Sequence, residues 1–104
     1  MTFEEILPEL RKGEIVRRES YNENLIIFMQ NPAYIPIDYI TNMQSLPNKA
    51  KELLNKFECP IWYRNQFLIY DFDDNVATYC ILDGDDINAT DWEIVDINTY
   101  NPYA

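Results

Sequence analysis

The sequence predicts an α+β fold, a small antiparallel sheet with two helices on one face, in a protein that associates with copies of itself. Three observations lead there. The periodic segments run helix, two strands, helix and then strands, an order that suggests an antiparallel sheet with helices packed against it. Several strand segments are apolar on both faces: Leu25 to Met29 holds no polar residue, and Phe67-Leu68-Ile69-Tyr70 is similar. Two helices are too few to cover both faces of such a sheet, so a sheet face or edge is expected at a subunit interface, in a dimer or a tetramer. Finally, a chain of 104 residues, 47% hydrophobic and 14% aromatic with two glycines, has the length of one domain and the composition of a folded one. The domain is expected over residues 1–97, with 98–104 as a tail.

Taken in order, Thr2 and Glu5 form a capping box, and Phe3, Ile6, Leu7 and Leu10 repeat at helical spacing, so a helix starts after Thr2. Gly13, just past Arg11 and Lys12, ends it. Glu14 to Arg18 and Leu25 to Gln30 read as strands, joined by a polar loop that carries Tyr21. Asn31-Pro32 breaks the second strand, and Ile35-Pro36 keeps the next segment extended or irregular. Ser45-Leu46-Pro47 is expected to open a second helix capped by the serine and running to about Phe57, with Leu46, Ala50, Leu53, Leu54 and Phe57 on one face. Cys59 to Tyr63 is short and marked by Pro60, unsuited to a central strand. Phe67 to Phe72 and Val76 to Leu82 flank Asp73-Asp74-Asn75 as a hairpin. A loop from Asp83 to Asp91 then leads to a half-buried strand over Trp92 to Ile97.

Charge and composition exclude most chemistry. With 18 acids, eight lysines and arginines and no histidine, the chain carries a formal charge of −10, which disfavours nucleic acid as a partner. Without imidazole there is no Ser-His-Asp or Cys-His catalysis and no histidine metal ligand. Cys59 and Cys80 are too few for a thiolate zinc site and read as two small buried hydrophobes in a reducing cytosol in preference to a disulfide between them. No cofactor, metal or catalytic residue is expected, and the chain is read as a non-enzyme. The longest apolar run is far below the roughly 18 residues of a membrane helix, so no membrane partner is expected. All eight basic residues lie at or before Arg64, and residues 65–104 hold nine acids. That acidic stretch reads as a solvated surface, as a nucleic-acid mimic facing the basic groove of a nuclease, or, at Asp83-Gly84-Asp85-Asp86, as an imperfect cation loop for which a solvated turn is the better account.

Two terminal motifs carry a family resemblance. The opening Met1-Thr2-Phe3-Glu4-Glu5-Ile6-Leu7, followed by Leu10-Arg11-Lys12-Gly13 and Val16-Arg17-Arg18, resembles the start of the Thoeris anti-defence proteins of the second type. The closing Asp86-Ile87-Asn88-Ala89-Thr90-Asp91-Trp92-Glu93-Ile94-Val95 resembles that family's ending. Both occur at the correct ends of a chain of the expected length. The resemblance implies a phage anti-defence sponge in the host cytoplasm, a homo-oligomer that binds a cyclic ADP-ribose-type immune signal without cleaving it. Similar proteins that hold cyclic dinucleotides, or that inhibit the nuclease Cas9, leave those ligands and a host defence protein open as alternative partners.

On that resemblance the ligand-binding residues are Arg17, Arg18, Tyr21, Asp86, Asn88, Thr90 and Asp91. Arg17 and Arg18 would grip phosphate as forks, unless they form surface ion pairs with Glu14 or Glu19. Tyr21 stands where the family has tryptophan and would stack on a base, or sit half-buried at a strand end. The polar residues from Asp86 to Asp91 would meet ribose hydroxyls, and Trp92 reads as a core anchor rather than a platform. The sequence departs from the family at Tyr70-Asp71, Asp73-Asp74-Asn75 and Asp83-Gly84-Asp85, placing acids where relatives carry other groups.

Overall fold

A computed structural model describes residues 1–104. In it, the Thr2 hydroxyl accepts from the Glu5 N–H and the Glu5 carboxylate accepts from the Thr2 N–H, a complete capping box that starts helix α1 (Phe3–Arg11). Gly13, at φ +98°, ends it in the left-handed region that glycine enters without steric cost. The apolar stripe on α1 buries Ile6 and Leu10 fully.

Residues 1–30 and 66–104 make one compact unit, and residues 31–65 make another. The first holds a five-stranded antiparallel sheet in the order β6-β5-β2-β1-β7, where β1 is Val16–Arg18, β2 Leu25–Gln30, β5 Gln66–Asp71, β6 Val76–Tyr79 and β7 Trp92–Ile94. Register places Val16 opposite Ile27 and Ile27 opposite Ile69, so one face presents a row of branched side chains to α1. With Trp92 they form the buried cluster of Ile6, Leu10, Val16, Ile27 and Trp92. Each such side chain stabilises the fold by about 1.5–3 kcal/mol relative to exposure. The β5–β6 hairpin closes through Asp73-Asp74-Asn75 as expected, with Asn75 at φ 55°, a conformation asparagine tolerates in turns.

The second unit pairs strands β3 (Ala33–Ile35) and β4 (Ile61–Tyr63) and packs helices α2 (Ile37–Ile40) and α3 (Asn48–Lys56) together, with Ile40 fully buried. The α+β class and antiparallel sheet stand, but there are four helices in place of two. Several details differ from the sequence expectation. The second long helix begins at Asn48 behind Pro47, with no side-chain cap, and Leu53 and Phe57 on its apolar face are exposed. The proline fixes the turn that starts the helix, so Ser45 lies outside it. Cys59 is exposed rather than buried, and both cysteines are free thiols.

The expected loop over 83–91 contains helix α4 (Gly84–Asn88), because Asp83 and Asp86 make a second capping box. Strand β7 is also shorter than Trp92 to Ile97, ending at Ile94. The segment after it is anchored: the Tyr100 hydroxyl donates to the Glu23 carbonyl, and the Tyr100 and Tyr103 rings lie 6.1 and 6.4 Å from Phe72. No helix is long and apolar enough to cross a membrane.

Candidate functional site

Strand alternation governs the two arginines. Consecutive residues of β1 project to opposite faces of the sheet, so Arg17 and Arg18 do not form one clamp. Arg18 shares the face of Val16 and, across the ladder, of Trp92. Arg17 shares the other face with Glu93.

Around Arg18 the structure brings together four of the residues that the resemblance implies. The Arg18 Nε–H donates to Asp91 Oδ1 at 2.9 Å and an Nη1–H donates to Asp86 Oδ1 at 3.0 Å. The Tyr21 hydroxyl donates to the same Asp86 oxygen at 3.4 Å, and the Arg18 guanidinium lies 5.8 Å from the centre of the Tyr21 ring. The second Asp91 oxygen accepts from the Ser20 N–H at 3.1 Å. Trp92 supports the group from the core: its indole N–H donates to the Asp86 carbonyl at 2.9 Å, and Tyr21 meets its ring edge-on at 6.2 Å. Arg18 therefore pairs with Asp86 and Asp91, not with Glu14 or Glu19, partners 68 and 73 residues away that sequence spacing could not supply.

These contacts set the protonation states. The hydrogen bond from Arg18, helped by the Ser20 N–H, holds the Asp91 carboxyl at about 2. For Asp86 partial burial favours the neutral acid, but bonds from the Asp83 backbone and Arg18 outweigh it and keep the pKa low. Burial, then the Asp86 charge, pushes the Tyr21 phenol up to about 12, so it remains a donor at neutral pH. A guanidinium has five N–H donors, and two are spent on the aspartates. The cluster is a fixed cation flanked by two carboxylates and a ring, and it offers both donors and acceptors to a polar ligand.

Arg17 is differently engaged. It is 4% exposed, and its guanidinium donates to Glu93 Oε1 at 2.7 Å, to the Tyr21 carbonyl at 2.7 Å and to the Asn22 carbonyl at 3.3 Å. Its buried Nε–H has no partner. Arg17 thus ties down the backbone of the 19–24 loop that presents Tyr21. Asn88 and Thr90 are exposed, and the Thr90 carbonyl accepts from the Met1 nitrogen at 3.1 Å. A concavity of about 560 Å³ beside Tyr21 is bordered by Glu23 and Asp73 and lined by no cation, so it suits a diphosphate poorly.

Sequence reasoning missed the structural partners Ser20 and Asp83, although the spacing of Asp83 and Asp86 was a readable capping signal. It also passed over Trp62 and Arg64, which line a cleft in the 31–65 unit. Trp62 stood in a segment read as too short and proline-marked for a central strand, and its place in a short two-stranded ribbon leaves the indole outside any core.

No curated protein matches the chain. A family model described as the Tad2-like, Thoeris anti-defense 2-like domain matches residues 1–95, from the capped start of α1 through β7. That span includes both terminal motifs and every residue of the Arg18 cluster, and the chain belongs to the Thoeris anti-defense 2-like family.

Proposed function

We propose that this protein acts in Thoeris anti-defence as a sponge, binding a cyclic ADP-ribose-type immune signal in the host cytoplasm and holding it without cleavage. The observation that carries the reading is the family match over residues 1–95. The Arg18 cluster is compatible with it. The unspent Arg18 N–H groups face a ligand phosphate, the free lone pairs of Asp86 and Asp91 accept ribose hydroxyls, and Tyr21 supplies a ring edge or face. Asn88 and Thr90 extend the polar rim, and Arg17 acts from behind by fixing the Tyr21 backbone. Sequestration needs affinity and no nucleophile.

Calorimetric titration with the cyclic ADP-ribose signal tests this. Wild type should bind, and Arg18→Ala and Tyr21→Ala should each weaken binding by about tenfold or more, while far-UV circular dichroism stays unchanged. Unchanged affinity in both would remove the ligand from this cluster. Cyclic dinucleotides titrated in parallel distinguish the second signal class. The exposed Val76 and Tyr79 on edge strand β6 and the neighbouring Ile81 support the expected self-association. A monomeric mass in light scattering at micromolar concentration would exclude it.

One observation favours a second reading. The sheet-bearing unit, residues 1–30 with 66–104, holds fifteen acids and four cations, a charge of −11. An acidic inhibitor would present that surface to a basic groove of a defence nuclease, with binding that falls steeply as salt rises.

A further inference from the structure

The charge of this chain divides by unit. Residues 31–65 carry Lys49, Lys51, Lys56 and Arg64 against Asp38, Glu52 and Glu58, a net charge of +1, while the other unit carries −11. The cations differ in availability as well. Arg17 and Arg18 are both held by carboxylates, whereas Arg64 forms no ion pair.

Arg64 lines a cleft of about 580 Å³ with Pro32, Trp62, Tyr63 and Asn65, all within the 31–65 unit. This volume falls in the range of about 300–1,000 Å³ typical of small-molecule sites. Trp62 is 69% exposed, unusual for the largest apolar side chain. Register pairs it with Tyr34 across β3 and β4, and the two rings sit 4.5 Å apart at 41°, which holds the indole in place. The cleft therefore joins a braced aromatic surface, an unpaired guanidinium fork and the Asn65 amide. An aromatic plane, a cation and an amide together suit a flat base attached to a phosphate.

We propose that the Trp62–Arg64 cleft is a binding site for a mononucleotide, with the base stacked on the Trp62 indole, the phosphate on the Arg64 guanidinium and Asn65 hydrogen-bonding the base edge or sugar. The site is separate from the Arg18 cluster and does not depend on the sponge reading. Its ligand is a free nucleotide rather than a nucleic-acid strand, because a chain of phosphates leaving the cleft would enter the field of a protein with net charge −10.

Tryptophan fluorescence reports on the site directly. Trp62 is exposed and Trp92 is 2% exposed, so a ligand stacked in the cleft quenches one indole and spares the other. Adenosine monophosphate should quench the full-length wild-type protein saturably, and adenosine, which lacks the charge, should bind about tenfold or more weakly. By calorimetry, Trp62→Ala should weaken adenosine monophosphate binding by about 5- to 150-fold. Arg64→Glu is an exposed change that leaves the β3–β4 ribbon intact, and it should abolish the preference for the phosphorylated ligand. Failure to saturate at millimolar adenosine monophosphate, equal affinity for adenosine, indifference to Arg64→Glu, or tighter binding of a single-stranded oligonucleotide would each overturn the proposal. None of these results bears on capture of the cyclic ADP-ribose signal, which is measured separately.

Discussion

Replacing Arg17 should destabilise this protein far more than replacing its acidic partner. Arg17→Ala removes two short charge-assisted bonds, to Glu93 and to the Tyr21 carbonyl, and a longer one to Asn22. Bonds of this kind contribute about 1.5–3 kcal/mol each. Two terms oppose the loss. The buried cation no longer has to be desolvated, and its unpartnered Nε–H disappears, each a relief on the order of 1–3 kcal/mol. The lost methylene packing works the other way, at about 0.8 kcal/mol per buried CH₂. The net expectation is about 2–3 kcal/mol of destabilisation. Glu93 is 47% exposed, so Glu93→Gln should cost less than about 1 kcal/mol. Urea denaturation measures both. For a slope of about 1–3 kcal/mol per molar, Arg17→Ala should lower the midpoint by about 0.7–3 M with the slope unchanged. Equal costs for the two variants, or a cost for Arg17→Ala below about 0.5 kcal/mol, would show that Arg17 does not serve chiefly to anchor the 19–24 backbone.

Other expectations follow from the same contacts. Asp91 has its pKa lowered from 3.8 to about 2, so the stability it contributes is fully present above pH 4 and is lost as pH falls through 2. Urea midpoints of wild type and Asp91→Asn should therefore converge between pH 4 and pH 2, and a constant gap across that window would contradict the pairing with Arg18. Thr2→Ala breaks the capping box of α1 and should cost about 0.5–2 kcal/mol by thermal or urea unfolding. Iodide should quench mainly Trp62, so Trp62→Phe should remove most of the quenchable emission, while the buried Trp92 emission persists.

Much of the sheet-bearing unit was legible because its signals are local. Thr2 with Glu5, Gly13, the run from Leu25 to Gln30 and the Asp73-Asp74-Asn75 turn each determine structure within a few residues, and each appears where its chemistry requires. Helix α4 was legible in the same way through Asp83 and Asp86, but a stretch dense in aspartate reads equally as a solvated loop. The Arg18 partners were not accessible from spacing, since the contact spans about 70 residues and arises only when β7 pairs with β1. The motifs did supply the members of that cluster, Arg18 from the first and Asp86 and Asp91 from the last. Strand alternation after Val16 was enough to show that Arg17 and Arg18 diverge, a consequence that the reading of adjacent phosphate donors left out. The charge break after Arg64 is real in the chain, and the fold adds a second division: four of the eight cations sit in the 31–65 unit, between two acidic segments.

Action as a sponge requires that the protein capture a nucleotide immune signal and return it unaltered. Incubation of the protein with the cyclic ADP-ribose-type signal, followed by size filtration and heat denaturation of the retained protein, measures both halves at once. A sponge should deplete the signal from the filtrate and release it intact on heating. Signal left wholly in the filtrate, or recovered as a cleaved product, would rule out sequestration without cleavage.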